Sequence, residues 1–197
     1  MAANIIQCEL CDLMIVNQNN VWFIESLFRH EDVKKYYVLR EDHAQDIKAF
    51  CRYILAANAQ KASLNYIIYD PLGDESGFIS AEPMMNNATG MPMWNVGYAI
   101  HPSSRNKGLA TDALTGLTNY LLNNYSFQHV MLDISDDNKA SEAVAKKCGF
   151  SKPNDRMGYF DMEHPEVGMR FRWFKQLAGL RTSYFNQAVH YYRQKLY

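Results

Sequence analysis

No run of apolar residues in this 197-residue chain approaches the ~18 needed to cross a bilayer as a helix. The opening MAANIIQCEL has no basic segment leading into an apolar stretch, so no secretory leader is expected and the cytoplasm is the expected compartment. A formal net charge of -1 gives no general attraction to nucleic acid or to a membrane surface. Cysteine is scarce, with Cys8, Cys11, Cys51 and Cys148 making up all 4. Cys8 and Cys11 form a lone CxxC. A zinc centre calls for a second pair or spaced histidines, and the histidines show no ligand spacing. The expectation is reduced thiols and no metal. There is no G-x-x-x-x-G-K-[ST] and no G-x-G-x-x-G after a strand, which speaks against P-loop nucleotide hydrolases and dinucleotide-binding Rossmann turns. Internal repeats and low-complexity tracts are also missing.

Apolar residues make up 48% of the chain, enough for a packed core. The length suits one domain, residues 1–197, rather than two. Residues 5–15 hold an apolar run that predicts a first strand. Val21, Ile24, Leu27 and Phe28 recur at helical spacing. A short helix is expected around EDVKKYY. A longer one is expected over 41–60, where Ala44, Ile47, Cys51, Ile54 and Leu55 form one stripe. LNYIIY (64–69) and GFISAE (77–82) read as hairpin strands about DPLGDESG. PMMNNATGMP reads as a loop. Its Met84, Met85, Met91 and Met93 suit either an acceptor pocket or core filling.

Then comes NVGYAIHPSSRNKGLATDAL, residues 95–114. Trp94, Val96, Tyr98 and Ile100 alternate as in a strand. Leu109, Ala113, Leu117 and Leu121 repeat as in a helix running to about Asn124. HVMLDI is again a strand. NKASEAVAKKCGF is a helix with stripe Ala140, Val144 and Cys148, ended by Gly149. Residues 93–150 thus read strand, helix, strand, helix, with the two strands parallel neighbours joined by a right-handed crossover. Beyond Phe150 the chain turns aromatic and basic. Met169, Phe171 and Trp173 alternate with Arg170 and Arg172 as a strand. Phe185, Ala188, Tyr192 and Leu196 fit a final amphipathic helix within 175–197. An RNA contact could use such a segment, but an edge strand and docked helix with arginines on the wet face is the preferred reading.

A strand that hands over to a helix through Arg105, Asn106, Lys107 and Gly108 has a particular use. The helix N-terminus offers unpaired N–H groups and partial positive charge. Gly108 lets the backbone approach a ligand where a Cβ would intrude, and Arg105 and Lys107 add charge at the rim. Such a turn is a phosphate cradle, or else an ordinary solvated turn. Composition alone does not separate the two.

The motifs separate them. RNKGLA (105–110) matches the [QR]-x-x-G-x-[GA] acyl-CoA motif of the GNAT N-acetyltransferase superfamily. GYAIHPSSRNKGLATDAL resembles the form it takes in the branch that acetylates ribosomal-protein N-termini, the RimJ/RimL-like branch. NKASEAVAKKCGF is similar to that branch's second motif, N-x-x-S-x-x-[VL]-A-x-x-x-G-F. The resemblance implies an α/β fold: a central mixed sheet with splayed parallel strands, flanked by helices, plus a C-terminal helical extension. It implies acetyl-CoA as cosubstrate, with the pyrophosphate on the amides of Arg105, Asn106, Lys107, Gly108, Leu109 and Ala110. It also implies a backbone N–H within Tyr98, Ala99 and Ile100 that polarises the thioester carbonyl. Asn138 matches the residue that contacts the cofactor arm. Ser141 matches a suggested stand-in for the superfamily's acid tyrosine, whose position is here Ala145. Asn138 as a helix cap and Ser141 as packing are the structural alternatives.

Amine acetylation needs a neutral amine, a stabilised carbonyl oxygen and a protonated leaving thiol. Where superfamily members keep a glutamate base, this chain has Trp94 and Asn95. Glu82 is the nearest carboxylate by position. An α-amine of pKa ~7.8 is roughly a quarter to a third neutral at pH 7.4, a lysine amine only ~0.1%. The acceptor expected is therefore a peptide or small-molecule amine of low pKa, with a ribosomal protein among the candidates. A homodimer is compatible with the sequence. Three readings stand: an N-acetyltransferase, a catalytically weak CoA-binding sensor or partner-docking module, and an acetyltransferase of small amines or antibiotics.

Overall fold

The apolar run at the start of the chain is broken by Glu9 and Leu10, and in the computed structural model it folds back on itself there. Strand β1 (Ile5–Gln7) pairs antiparallel with β2 (Asp12–Ile15). The single strand expected over 5–15 is thus a hairpin with the CxxC at its tip. The structure describes residues 3–86, 91–127, 129–152, 158–160 and 169–176. These fall into two compact units, Met1–Glu82 with Val96–Tyr120, and Pro83–Asn95 with Leu121–Tyr197.

In the first unit β2 pairs with β3 (Leu64–Tyr69), and β3 with β4 (Glu75–Asn86), both antiparallel. The second half of β5 (Met91–Ile100) follows β4. Helices α1 (Trp22–Leu27), α2 (Glu31–Tyr36), α3 (Glu41–Gln45) and α4 (Ile47–Gln60) come between β2 and β3. The helix expected over 41–60 is interrupted at Asp46, whose extended φ of -131° lets its carboxylate accept the Lys48 N–H and cap α4. Ile24, Leu27, Phe28, Phe50, Ile54 and Phe78 form the core of this unit. Phe28 meets both Phe50 and Phe78 edge-on. Each such buried side chain contributes about 1.5–3 kcal/mol. The strands β4 and β5 approach so closely that a Cβ on Gly77 would lie 2.6 Å from the Ala99 carbonyl oxygen. Helix α5 (Leu109–Asn124) begins in this unit, burying Leu109, Ala113, Leu114 and Leu117.

In the second unit β5 pairs parallel with β6 (His129–Ser135), as expected. Among the described residues that register covers Trp94↔Val130 and Asn95↔Met131. Helix α6 (Lys139–Lys147) follows β6 and buries Ala145. Strand β8 (Met169–Gln176) lies antiparallel between β6 and β7 (Gly158–Phe160). The aromatic-basic segment is therefore an inner strand and β7 the edge, which corrects the edge-strand reading. Lys175 and Gln176 belong to β8, and the rest of the expected C-terminal helix lies outside the described residues. The segment read as a loop, 83–92, continues β4 to Asn86 and opens β5 at Met91. Met84, Met93 and Met131 pack together there as a small core, while Met85 is exposed.

Candidate active site

Strand β5 delivers the chain to the turn that the sequence singled out. The His101 N–H donates to the Ser76 carbonyl at 2.9 Å, tying the strand's end to β4. A short 3-10 turn, Pro102–Ser104, follows, its entry capped by His101 Nδ1, which accepts the Ser103 N–H. Next come Asn106 with φ +62° and Gly108 with φ +84°. Asparagine tolerates this left-handed region and glycine prefers it, which is why these residue types stand here. Left-handed residues thus flank Lys107, and alternation of left- and right-handed backbone is the kind of conformation from which anion-binding nests are built. Among the described residues the N–H groups of Asn106, Lys107 and Gly108 meet no acceptor. The first bond of α5 runs from the Asp112 N–H to the Gly108 carbonyl at 3.0 Å, so the Leu109 and Ala110 amides precede the helical ladder. These backbone donors fit a pyrophosphate.

Arg105 is engaged rather than held free at the rim. Its guanidinium pairs with the Asp32 carboxylate of α2, and its Nε donates to the Ile100 carbonyl at 3.3 Å. The hydrogen bond from Arg105 holds the Asp32 carboxyl below the usual carboxylate range. Lys107 is exposed. His101 shares a proton with His30 across 3.1 Å between their Nε2 atoms. Because His101 Nδ1 already accepts, its Nε2 carries the hydrogen in that pair. Burial, then the charges of His30 and Arg105, lower the proton affinity of His101. It braces the turn.

Tyr98, Ala99 and Ile100 lie on β5 in the same unit as the turn. Beside them is a residue that sequence reading missed. The Tyr37 ring is within 3.1 Å of where a Cβ on Gly97 would sit, and its hydroxyl shares a 2.7 Å hydrogen bond with Ser80. Burial raises the Tyr37 pKa above its ordinary value, so at neutral pH its hydroxyl is protonated and does not act as a base. Nothing in the local sequence YYVL foretold it, because α2 and β5 are brought together only by packing. Glu82 is exposed and accepts from the Tyr53 hydroxyl at 3.3 Å. On β5, Trp94 is buried against Tyr125 and Phe127.

Asn138 and Ser141 belong to the second unit. The Asn138 side chain accepts the Ser141 N–H at 3.1 Å and caps α6. The structural alternative weighed for Asn138 is therefore realised. Its Oδ1 is committed to the cap, and a cofactor contact would fall to Nδ2. Ser141 is half-buried on the first turn. The structure thus groups Tyr98 through Ala110 in one unit and Asn138 with Ser141 in the other.

Comparisons with known proteins give the family and the fold. The model of the acetyltransferase (GNAT) domain matches residues 19–151, and the chain belongs to that family. No curated protein matches it. Among solved structures, a ribosomal-protein-S5-alanine acetyltransferase from Vibrio fischeri superposes with TM-score 0.71 at 12% identity, over 90% of this chain and 98% of its own. Spermidine N-acetyltransferase from Vibrio cholerae, solved with CoA and spermine, gives 0.68 at 12% identity, over 85% and 95%. The microcin C7 self-immunity acetyltransferase MccE, solved with acetyl-CoA and AMP, gives 0.68 at 16% identity, over 86% and 93%. The fold is the mixed α/β GNAT fold, and the family is one of N-acetyltransferases with acetyl-CoA as cosubstrate. Among the described residues no helix is long and apolar enough to cross a membrane.

Proposed function

We propose that the chain acetylates an α-amine, that of a protein or peptide N-terminus, and so acts as the ribosomal-protein branch does. The observation that carries the cofactor part is the turn at Asn106–Gly108, with two left-handed residues and, among the described residues, no acceptor for the Asn106, Lys107 and Gly108 N–H groups. Acetyl-CoA supplies an activated acetyl group and a thiol leaving group. The chain's own residues do the rest. The Arg105 N–H, expected among the phosphate donors, is engaged by the Pro102 carbonyl at 3.4 Å. The amides from Asn106 to Ala110 would hold the phosphates, and a β5 N–H within Tyr98–Ile100 would polarise the carbonyl. Asn138 and Ser141 keep the roles the resemblance gives them, contact to the cofactor arm and proton donation to the leaving thiol. Tyr37, kept protonated by burial, packs its ring beside Gly97 of β5 and shares its hydroxyl with Ser80.

The acceptor follows from what β5 lacks. Trp94 and Asn95 cannot take a proton, and the exposed Glu82 already accepts from Tyr53. A strand with no base at these two positions suits an amine that is substantially neutral on its own, which favours pKa ~7.8 over ~10.4. A ribosomal protein fits that chemistry, and one structural neighbour carries it in its name.

The test is calorimetric titration with acetyl-CoA, followed by thiol release with N-terminal peptides, polyamines and small amines. Turnover on peptides supports the proposal. Turnover confined to polyamines or small amines overturns the acceptor and leaves the cofactor site standing. Binding without turnover on any acceptor favours the sensor reading.

A further inference from the structure

The tip of the first hairpin carries the CxxC, and its geometry differs from that of two isolated thiols. The Cys8 N–H donates to the Cys11 carbonyl at 3.0 Å, and Gln7 pairs with Asp12. Glu9 and Leu10 are therefore a two-residue turn, and the residues flanking such a turn point to the same face of the ribbon. That face meets α5. The Asp112 carboxylate accepts the Glu9 N–H at 3.2 Å and the Leu10 N–H at 2.7 Å. One turn on, Gly116 leaves the room for sulfur: an ideal Cβ there would lie 2.3 Å from Cys8 Sγ. Cys8 Sγ, Cys11 Sγ and a carboxylate oxygen of Asp112 all lie within 4.8 Å of one another.

We propose that Cys8, Cys11 and Asp112 bind a divalent cation of the zinc class, tying the first hairpin to the first turn of α5. Two sulfurs and one oxygen select a borderline-soft, tetrahedral ion; calcium and magnesium want oxygen alone. The two turn amides fix the carboxylate's orientation, as outer partners do in metal sites, and leave it further lone pairs. Cys11 is buried while Cys8 and Asp112 are half-buried, so water takes the fourth position. Sequence spacing hid the third ligand because it lies about a hundred residues from the CxxC. The role is structural. Asp112 sits on the helix that Gly108 opens, and Leu10 Cδ1 lies 3.2 Å from where a Gly108 Cβ would be. The bound ion would hold the loop that backs the cofactor turn.

The test uses the full chain without a histidine tag, reduced and freed of metal by a chelator, and titrated with cobalt(II). The expected result is a near-ultraviolet thiolate-to-cobalt band and intense visible bands of four-coordinate cobalt, saturating at a single equivalent and displaced by zinc(II). Cys11→Ser should diminish the thiolate band. Asp112→Asn should keep that band while weakening zinc binding at least about tenfold, the smallest loss expected even for an outer partner. Circular dichroism of each variant confirms folding, and the wild-type titration stands without them. No thiolate band in the reduced wild-type protein overturns the proposal. So does a band unchanged in Cys11→Ser, or zinc affinity unchanged in Asp112→Asn.

Discussion

Two strand-to-helix junctions in this molecule treat the same problem in opposite ways. Where β6 passes into α6, Asn138 folds its side chain onto the Ser141 N–H and satisfies the helix from within. Where β5 passes into α5, Asn106 and Gly108 adopt left-handed backbone, and among the described residues the N–H groups of Asn106, Lys107 and Gly108 meet no acceptor. Both junctions leave a parallel strand, and both begin with polar residues. The difference is that one spends a side chain on its helix N-terminus and the other does not, which is the basis on which we propose an anion site there. Asn106, Lys107 and Gly108 are exposed, so water serves their amides in the free protein and leaving them without a side-chain cap costs little.

The largest test of this contrast is Gly108→Trp. A side chain there is strained by the positive φ and collides with Leu10. Displacing two amides from a charged phosphate, at about 1.5–3 kcal/mol each, weakens acetyl-CoA affinity by about 100-fold or more. Calorimetry reads this directly, and unchanged affinity would remove the turn from the cofactor site. At the other junction, Asn138→Ala should cost about 0.5–2 kcal/mol of stability, seen in urea unfolding, and weaken acetyl-CoA far less than Gly108→Trp. Asn138→Asp restores the cap. Comparable losses of affinity at both junctions would erase the distinction.

A third prediction concerns pH. His101 at the β5 junction and His129 on β6 both have lowered proton affinity, the latter from burial alone. The folded chain therefore binds fewer protons than the unfolded one just below the ordinary histidine value of ~6.5. Stability from these groups is complete above that value and declines as pH falls through their lowered folded values. Denaturation midpoints between neutral pH and pH ~5 should fall with acid, and His101→Gln should flatten part of that slope. A steeper slope in the variant would contradict the neutral pairing of His101 with His30. The smallest effect is expected from Asp32→Asn, which frees Arg105. An exposed ion pair is worth about 0.2–1 kcal/mol, so stability should change little. Acetyl-CoA binding should strengthen slightly, and more at low salt.

Much of this fold was legible before any coordinates. The α5 stripe, its start at Leu109 and its end at Asn124 were read from a repeat of apolar residues every four positions, and helix periodicity survives tertiary context because the helix satisfies its own backbone. The parallel pairing of β5 and β6 followed from the intervening helix. The errors cluster where a short run of chain must choose between equal local options. Residues 5–15 read as one strand because the apolar count hides a two-residue turn at Glu9–Leu10. Residues 41–60 read as one helix because Asp46 ends it through a backbone angle rather than a composition change. The segment at 83–92 read as a loop from its Pro, Asn and Gly content, yet β4 and β5 run into it because neighbouring strands supply the ladder.

The sequence by itself determined the backbone of the turn at 106–108. Asn and Gly at 106 and 108 are chosen for backbone angles that other residues resist, and that choice is local. Only the tertiary structure decided which groups stand around it. Asp32 reaches Arg105, Tyr37 reaches Ser80 beside Gly97, and Asp112 reaches the CxxC hairpin. Each of these contacts joins residues far apart in the chain, and no spacing rule encodes them. They exist because burying the helices and strands of the first unit against one core fixes which side chains meet.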